Sequence, residues 1–357
     1  MIIAALRQPS LHPSMTTTLQ TPSRVHELLE AFEGRSRVLV LSHNNPDPDS
    51  MGGAFGLRFL LEKQLGVSTS FGYRGDIFRA ENLEMVRALG IGIVRLEDLD
   101  LARFDGFAMV DTQPGFGHTF VPPSIQLDAV VDHHIPPTQG AGPSKFRDVR
   151  TDVGATCSII TGYIMELGLE PPPRVATALL YGIRTDTADL SRNTSPLDER
   201  AYLYLLQRAD RAALASIARP ALPSNYFKVF RQALNETRVH GKLAVCSLGH
   251  TENPEIVAEY ADLLLRLEGT EWVVTGGLYK NTYYVSVRAN SYGRDAWSLL
   301  REVLDGEGSY GGHGTVGGAS IPLADESPRT LRRLERRLYQ RLLEALDEDQ
   351  TSAKRLI

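Results

Sequence analysis

Short apolar runs alternate with amphipathic stretches through the first half of the chain. Continuous apolar runs occur at residues 37–41, 107–110 and 127–131, as expected for strands buried on both faces of a parallel sheet. Apolar residues recur at helical spacing over residues 23–32, 155–167, 174–182 and 196–207. Strands that alternate with helices predict an α/β fold in which the N-terminal domain has a mostly parallel sheet.

The pattern changes after residue 214, where a second domain is predicted. A helix over residues 214–236 is expected to link the two domains. A smaller, mixed α/β domain is expected over residues 237–347, which leaves residues 22–213 for the N-terminal domain. Within the second domain, the glycine-rich stretch 306–318 predicts a loop.

The composition narrows the class of protein. With 357 residues, of which 42% are hydrophobic and 23% charged, the chain is expected to be globular and to form two domains. A formal net charge of −5 argues against a protein that grips long duplex DNA over a broad basic face. Cys157 and Cys246 form no Cys-x-x-Cys pair, which argues against a cysteine-based zinc or redox site. No run of about 18 apolar residues occurs, so we expect a cytoplasmic protein without a membrane span.

The predicted C-terminal helix, over residues 331–346, is rich in arginine. Four of these cations could form a phosphate-binding patch: Arg332, Arg333, Arg336 and Arg337. Glutamates alternate with them along the helix, however, and this alternation is typical of a solvated helix face. We therefore favour the solvated face over the phosphate patch.

Polar clusters follow three of the predicted strands, and a fourth cluster follows a predicted helix. The four clusters are residues 43–50, 111–112, 132–134 and 186–187. In an open parallel sheet, ligand sites collect beyond the carboxyl ends of the strands, so the first three clusters are expected at one edge of the sheet. Asp186 would have to reach that edge from the end of a helix.

The side chains in these clusters are mostly carboxylates and imidazoles. Such ligands suit Mn²⁺, Mg²⁺, Fe²⁺ or Zn²⁺. Crowded carboxylates repel one another strongly unless cations lie between them, so we favour a two-metal site that acts on a phosphoryl group. Taken singly, an aspartate at a strand end is more often a turn former or a helix cap, and a lone histidine is more often packed or solvated. The combination is what indicates a metal centre.

Two stretches of sequence stand out in combination. The motif Asp132-His133-His134 follows an apolar strand, and the stretch His-Asn-Asn-Pro-Asp-Pro-Asp lies upstream at residues 43–49. Together they resemble the DHH phosphoesterase superfamily, and within it the RecJ-like nanoRNase and phosphoadenosine-phosphate phosphatase branch. Gly-Gly-His at residues 311–313 and Ser-Val-Arg at residues 286–288 resemble the type 1 DHH-associated domain. The resemblance covers residues 35–320 and implies an active site in the cleft between two domains.

The resemblance implies a role for each residue that matches the motifs of the superfamily. One metal ion would be bound by His43, Asp47 and Asp111. The other ion would be bound by Asp49, Asp111, His133 and Asp186, so that Asp111 bridges the two. Asp132 and His134 would be catalytic, because they would orient the ligands or contact the phosphate.

The second domain would bind the end of the substrate. The residues implied in this role are Arg288, Gly311, Gly312 and His313. Glycines let backbone N–H groups approach an anion closely, and arginine can bind a phosphate in a bidentate manner. Val-Gly-Gly at residues 316–318 departs from the two alanines and one glycine that the family tends to have there.

The resemblance implies a metal-dependent hydrolase that cleaves short nucleotides by two-metal activation of water. Its substrates would be oligoribonucleotides, linear or cyclic dinucleotides, or 3′-phosphoadenosine 5′-phosphate, and its cofactor two Mn²⁺ ions, with Mg²⁺ or another divalent metal as alternatives. Long duplex DNA and membranes are not expected as partners, and a homodimer is left open. A pyrophosphatase or exopolyphosphatase of the same superfamily is a second hypothesis. A non-catalytic nucleotide-binding sensor is a third.

Overall fold

The structure is a computed structural model that describes residues 23–137, 142–290, 295–348 and 353–357. The helices are α1 Arg24–Ala31, α2 Pro48–Leu65, α3 Ala80–Leu89, α4 Thr156–Glu166, α5 Pro173–Asp186, α6 Pro196–Leu206, α7 Arg211–Ala218, α8 Ser224–Glu236, α9 Glu255–Leu264, α10 Ala296–Leu304 and α11 Pro328–Leu346. The strands are β1 Arg37–Leu41, β2 Ser68–Tyr73, β3 Ile93–Arg95, β4 Gly106–Val110, β5 Leu127–Asp132, β6 Ser144–Val149, β7 Arg238–His240, β8 Leu243–His250, β9 Trp272–Tyr279, β10 Thr282–Ala289, β11 Ser309–His313, β12 Val316–Pro322 and β13 Lys354–Arg355.

The chain divides into two compact units, and each contains one sheet. Unit 1 comprises the described residues up to Asp76 together with Leu89–Leu214. Unit 2 comprises Ala215–Ile357 and the earlier segment Ile77–Ala88, which contains most of α3. Among the described residues, no helix combines the length and the apolar character that crossing a bilayer requires.

The sheet of unit 1 has six strands in the order β3-β2-β1-β4-β5-β6, and all neighbouring strands are parallel. The three predicted apolar runs form β1, β4 and β5, which are three of its four inner strands. Val38, Leu39 and Val40 of β1 are fully buried, as expected for a strand with helices on both faces. The predicted α/β fold with a mostly parallel sheet is therefore confirmed.

The order of the strands reverses between β1 and β4. The chain runs from β1 outward through β2 to β3, and then returns to start again at β4 on the other side of β1. Such a reversal leaves a crevice beyond the carboxyl ends of the two adjacent strands, where open α/β sheets bind their ligands. The topology of the sheet thus provides a place for a site before any side chain is considered.

Helix α2 starts beside that crevice because its first turn is strongly capped. The side chain of Asp47 accepts a hydrogen bond from the main-chain N–H of Ser50 at 2.9 Å, and the hydroxyl of Ser50 lies 3.0 Å from the main-chain N of Asp47. Pro48 occupies the first turn, where its missing N–H costs nothing. Gly66 ends the helix in the left-handed conformation, with φ +66°.

Glycine permits a close approach of α2 and α5 in unit 1. A Cβ atom at Gly182 would lie 3.0 Å from Pro48 O and 3.0 Å from Asp49 Cα, which are main-chain atoms of α2. It would also lie 2.5 Å from the sulfur of Cys157. Because no side chain intervenes at Gly182, the end of α5 that carries Asp186 is held against the start of α2 that carries Asp49.

The sheet of unit 2 has seven strands in the order β11-β12-β10-β9-β8-β7-β13. It is mixed, since β8 and β9 are parallel and the other neighbouring strands are antiparallel. One face packs on α10 and α11 and the other on α8 and α9, so the apolar residues separate into two cores. The predicted smaller, mixed α/β domain is confirmed.

The prediction of a loop over residues 306–318 is wrong. The glycine-rich stretch forms most of a hairpin, in which β11 pairs antiparallel with β12 and places Gly312 opposite Gly317. Gly312 has φ +151°, and a Cβ atom there would lie 2.3 Å from the main-chain O of Val316. Glycine is therefore needed at this position for the two strands to meet.

Gly182→Ala should lower the free energy of unfolding by about 1–3 kcal/mol, because the added methyl group overpacks the contact between α5 and α2. Urea denaturation of the full chain measures this change. Gly162→Ala in α4 is the matched control, since a Cβ atom there would meet only the side chain of Leu197, at 3.4 Å. The control should raise the stability by up to about 1 kcal/mol, as alanine does in a helix. Equal effects of the two substitutions would contradict the close packing.

Candidate metal centre

The structure brings the six predicted metal ligands together at the crevice of unit 1. His43 follows β1, Asp111 follows β4 and His133 follows β5, so three neighbouring parallel strands deliver one residue each. The remaining three come from helix ends: Asp47 caps α2, Asp49 lies in its first turn, and Asp186 is the last residue of α5. The predicted convergence of the polar clusters is therefore observed in the geometry.

The first group in this cluster consists of His43, Asp47 and Asp111, whose donor atoms all lie within 4.8 Å of one another. The Nε2 atom of His43 is 3.6 Å from Asp47 Oδ1 and 3.5 Å from Asp111 Oδ2. The other ring nitrogen, Nδ1, lies 2.9 Å from the carbonyl oxygen of Asn44. Because a carbonyl can only accept, Nδ1 carries the proton, and in the neutral ring the lone pair is on Nε2. The ring is thus oriented as a metal ligand.

The second group consists of Asp49, His133 and Asp186, again within 4.8 Å. The Nε2 atom of His133 lies 3.2 Å from Asp186 Oδ2 and 3.9 Å from Asp49 Oδ2. Its Nδ1 atom donates to the carbonyl of Val153 at 3.2 Å. Nε2 itself is buried and has no hydrogen-bond partner among the described residues. A buried nitrogen left unsatisfied in this way fits a lone pair that is reserved for a cation.

Asp111 connects the two groups, because its two carboxylate oxygens point to different histidines. Oδ2 lies 3.5 Å from His43 Nε2, and Oδ1 lies 3.5 Å from His133 Nε2. Oδ1 also accepts a hydrogen bond from the hydroxyl of Thr156 at 3.0 Å, which fixes the rotation of the carboxylate. A carboxylate placed between two imidazoles in this way is suited to bridging two cations.

The Asp49 carboxylate is held from behind by the start of α4. It accepts hydrogen bonds from the main-chain N–H groups of Thr156 and Cys157, at 2.7 and 2.9 Å. These are the first residues of the helix, where unpaired N–H groups and the helix dipole favour a negative charge. Asp49 is fully buried, so these contacts rather than water satisfy it.

Several groups of the cluster have shifted pKa values. Burial, together with the neighbouring carboxylates of Asp111 and Asp186, raises the pKa of Asp49 well above its usual value. Burial also raises the pKa of Asp186. Burial opposes a charge on the His43 ring, but Asp111 and Asp47 outweigh that effect and raise the pKa of His43. Burial would raise the pKa of Asp47, but the His43 ring outweighs that effect and lowers it. Asp49, Asp186 and His43 thus hold a proton more tightly than usual, as expected of groups that could bind a cation in its place.

The donor set fits divalent metal ions by its chemistry. It offers carboxylate oxygens and imidazole nitrogens and no thiolate, since Cys157 donates its S–H to the main-chain oxygen of Asp49 at 3.3 Å. A divalent cation would compensate the buried carboxylates and occupy the unsatisfied Nε2 of His133. The buried carboxylates and the unsatisfied Nε2 of His133 therefore both support divalent metal binding.

Asp132 and His134 form a second layer behind the cluster. The Asp132 carboxylate is fully buried, and its Oδ1 accepts from His134 Nδ1 at 2.8 Å and from the main-chain N–H of His133 at 2.8 Å. Burial would raise the pKa of Asp132, but the hydrogen bond from His134 outweighs it and lowers the pKa. Asp132 therefore remains charged and orients His134.

Gln113 is a residue of this layer that the sequence analysis missed. Its Nε2 donates to Asp132 Oδ2 at 2.8 Å and to the carbonyl of His134 at 3.1 Å, while its Oε1 accepts from Arg147 at 3.1 Å. The side chain is fully buried. No sequence signal marks this role, because an isolated glutamine two residues after Asp111 has no pattern that distinguishes it from a loop residue.

The backbone is strained beside two of the clustered aspartates. Asp111 itself has φ +57°, in the left-handed region that non-glycine residues rarely adopt. After Asp186, three successive residues have positive φ: Ala188 at +47°, Asp189 at +55° and Leu190 at +65°. Such strain persists where the surrounding structure enforces it, and it concentrates at functional sites.

The residues predicted to bind the end of the substrate all lie in unit 2. Arg288 in β10 donates through Nε to Asp262 Oδ1, and its NH1 lies 2.8 Å from the hydroxyl of Ser286. Gly311 and Gly312 lie in the edge strand β11. His313 ends that strand, and its side chain is outside the described part of the structure.

Two family descriptions match the chain. The DHH family, N-terminal domain, matches residues 37–183, and the DHHA1 domain matches residues 240–340. The solved structure of an exopolyphosphatase-related protein from Bacteroides fragilis superimposes with a TM-score of 0.73 at 14% identity, over 92% of this chain and 99% of that one. That likeness concerns the fold.

Three curated relatives differ in how much of each protein is aligned. An uncharacterized protein from Methanocaldococcus jannaschii is 36% identical over 82% of this chain. The chain spans only 59% of the length of that relative. A bifunctional oligoribonuclease and PAP phosphatase from Thermus thermophilus is 28% identical over 92% of this chain and 94% of its own length. A probable manganese-dependent inorganic pyrophosphatase from Streptococcus pyogenes is 27% identical, over 46% of this chain and 52% of its own.

Gln113→Leu should lower the affinity for Mn²⁺ by about tenfold, because partners behind metal ligands typically contribute a factor of 10–100. The substitution removes the donor that fixes Asp132, and Asp132 in turn positions His133 and His134. Calorimetric titration of the metal-free protein with Mn²⁺ measures the change. Gln232→Leu in unit 2 is the control, since Gln232 also donates to a main-chain carbonyl but lies outside the metal cluster. Unchanged affinity in the Gln113 variant would remove the role assigned to this residue.

Proposed function

Because the chain belongs to the DHH superfamily of phosphoesterases, we propose that it hydrolyses phosphoester bonds of short nucleotides at the Asp–His cluster of unit 1. The observation that carries the proposal is the placement of Asp111, whose two oxygens each lie 3.5 Å from a different imidazole nitrogen. Such a carboxylate can hold two cations side by side, and two adjacent cations suit the charge of a phosphoryl group.

The proposed cofactor is a pair of Mn²⁺ ions, with Mg²⁺ or another divalent metal as a substitute. We assign His43, Asp47 and Asp111 to one ion. Asp49, Asp111, His133 and Asp186 are assigned to the other. When bound, such ions polarise a phosphoryl oxygen and lower the pKa of a coordinated water molecule.

The protein's own groups then have defined tasks. Main-chain carbonyls of Asn44 and Val153 keep Nδ1 of His43 and His133 protonated, so that each Nε2 points into the cluster. Asp132 accepts a hydrogen bond from Nδ1 of His134 and so fixes the orientation of that ring. Burial would lower the pKa of His134, but Asp132 and Asp111 outweigh it and raise that pKa. In the protonated ring, Nε2 also carries a proton, which it can donate to a phosphoryl oxygen or to the departing oxygen. This is the catalytic role proposed for Asp132 and His134.

Short RNA or nucleotides are the proposed substrates. The relative that aligns along 94% of its own length is an oligoribonuclease and PAP phosphatase, which favours oligoribonucleotides, dinucleotides and 3′-phosphoadenosine 5′-phosphate. The net charge of −5 suits a short anion better than a long one. In unit 2, Arg288, Gly311, Gly312 and His313 are proposed to bind the terminal phosphate.

A pyrophosphatase is the second candidate, favoured by the Streptococcus pyogenes relative. That alignment covers 46% of this chain, however, whereas the alignment with the oligoribonuclease covers 92%. A sensor that binds nucleotides without hydrolysis is disfavoured, because all six proposed ligand positions carry Asp or His.

The full chain with Mn²⁺ should therefore be assayed in parallel against a ribodinucleotide, 3′-phosphoadenosine 5′-phosphate, a cyclic dinucleotide and inorganic pyrophosphate. We expect turnover of at least one of the first three to exceed that of pyrophosphate by tenfold or more in kcat/KM. Faster turnover of pyrophosphate would favour the second candidate. Tight nucleotide binding without any turnover would favour the sensor.

Asp111→Asn should abolish nearly all Mn²⁺-dependent hydrolysis, by about a thousandfold or more in kcat, because the neutral amide cannot bridge two cations. Calorimetry should at the same time show fewer Mn²⁺ ions bound per chain than in the parent. Because asparagine retains the shape of the aspartate side chain, we expect no large fall in the thermal midpoint of unfolding of the metal-free protein.

Asp128→Asn is the matched control for Asp111→Asn. Asp128 is also a buried carboxylate of unit 1, but it pairs with Arg35 at 2.7 Å and Lys145 at 2.8 Å. This variant should lose stability and yet retain turnover at temperatures well below its unfolding. If Asp111→Asn kept most of the parent's turnover, the bridging assignment would be wrong.

Arg288→Ala should raise KM for substrates with a terminal phosphate by about 10–100-fold, as expected for a lost charged hydrogen bond. The change in kcat should be smaller, since the residue is proposed to bind rather than to react. Steady-state kinetics with a ribodinucleotide carrying or lacking that phosphate separate the two parameters. Arg266→Ala removes an exposed arginine of the same unit and should leave KM unchanged. An unchanged KM for Arg288→Ala would place the phosphate elsewhere.

A further inference from the structure

Unit 2 contains a cavity that the proposed hydrolase site does not use. Its volume is about 450 Å³, and all of its lining residues come from unit 2. The space lies between one face of the sheet and the helices α10 and α11. The cavity is partly open to solvent, and sites for small molecules have volumes of this order.

The inner walls of the cavity are apolar. Val274 and Val287 line it from the sheet, and Leu300 and Val303 line it from α10. All four side chains are buried, with exposed fractions of 4% or less. These four side chains carry no polar group, so the walls that they form hold water poorly and can pack against a hydrocarbon chain that enters the cavity.

The rim of the cavity carries arginines. Arg332 and Arg336 are exposed and lie one turn apart on α11, and Arg238 on β7 is half-buried. Within the described part of the chain, none of the three has a carboxylate within 4.0 Å. Unpaired guanidinium groups beside an apolar space favour an anionic group at that end of a ligand.

Two glutamates also line the cavity, but one of them is already engaged. The Glu335 carboxylate accepts hydrogen bonds from the hydroxyls of Ser247 and Tyr283, the latter at 3.3 Å. Glu236 is exposed at the end of α8. Three cations against two carboxylates leave the rim with a net positive charge.

We propose that this cavity binds a small amphipathic anion, with an apolar chain between the sheet and α10 and a carboxylate or phosphate headgroup at Arg238, Arg332 and Arg336. The site is separate from the Asp–His cluster of unit 1 and does not depend on the function proposed for that cluster. The apolar walls supply the affinity for the chain, and the arginines supply the preference for negative charge.

The test is calorimetric titration of the full chain, loaded with Mn²⁺, with decanoate below its micelle concentration. We expect one decanoate per chain and a rise in the thermal midpoint. Decyl phosphate is a second arm, which distinguishes a phosphate headgroup from a carboxylate. Decanol and decylammonium have the same chain without the negative charge, and we expect each to bind at least tenfold more weakly.

Two double variants of α11 separate the cavity from the general charge of the helix. Arg332→Gln with Arg336→Gln should weaken decanoate binding by tenfold or more. Arg329→Gln with Arg333→Gln makes the same change of charge on the same exposed helix but outside the cavity lining, and should alter binding less than twofold. All four side chains are exposed, so both variants should fold.

Three results would overturn the proposal: no saturable binding of decanoate, equal binding of decylammonium, or equal weakening by the two double variants. A fall in the thermal midpoint with added decanoate would also overturn it, because that behaviour indicates binding to the unfolded chain. Val303→Phe adds a check inside the cavity, since the larger ring should compete with the decyl chain and lower the affinity.

Discussion

The structure of unit 1 depends on one constraint, which is that three aspartates are held together in a place that water barely reaches. Asp49 and Asp111 are buried to 99% or more, and Asp186 is half-buried beside them. Carboxylates in such a place repel one another and lose their hydration, so the arrangement is unfavourable unless positive charge is supplied. The N-terminus of α4 and the rings of His43 and His133 supply part of that charge. Divalent cations are the remaining source that fits the donor atoms.

The fold achieves this placement with a few local devices. The reversal of strand order between β1 and β4 leaves the crevice, and the capped start of α2 brings Asp47 and Asp49 to it. Gly182 allows α5 to approach α2, and so delivers Asp186 from the opposite side. The positive φ of Asp111 then turns its carboxylate between the two histidines, at a cost of about 1–3 kcal/mol for a strained non-glycine residue.

The sequence predicts those parts of the fold that are determined by local patterns of residues. The runs that form β1, β4 and β5 are continuous and apolar, so both their existence and the position of the acids after them could be foreseen. Strand β6 was not predicted, because Ser144–Val149 alternates polar with apolar residues at the edge of the sheet. The sequence predicts a loop in place of the hairpin of β11 and β12, because the glycines of these strands have no side chains to show a strand period. The part played by Gln113 exists only through its contact with Asp132, which lies 19 residues away along the chain.

The crowding of carboxylates also discriminates between the hydrolase and the sensor. A protein that only bound nucleotides would gain stability from an asparagine in place of Asp186, since the shape would be kept and the repulsion removed. The strain at Asp111 and at Ala188, Asp189 and Leu190 would likewise have no reason to persist. Both costs are explained if the aspartates must remain charged to hold cations. Two cations at such a shared carboxylate can polarise a phosphoryl oxygen, so the unfavourable features of the site fit the hydrolysis proposed for it.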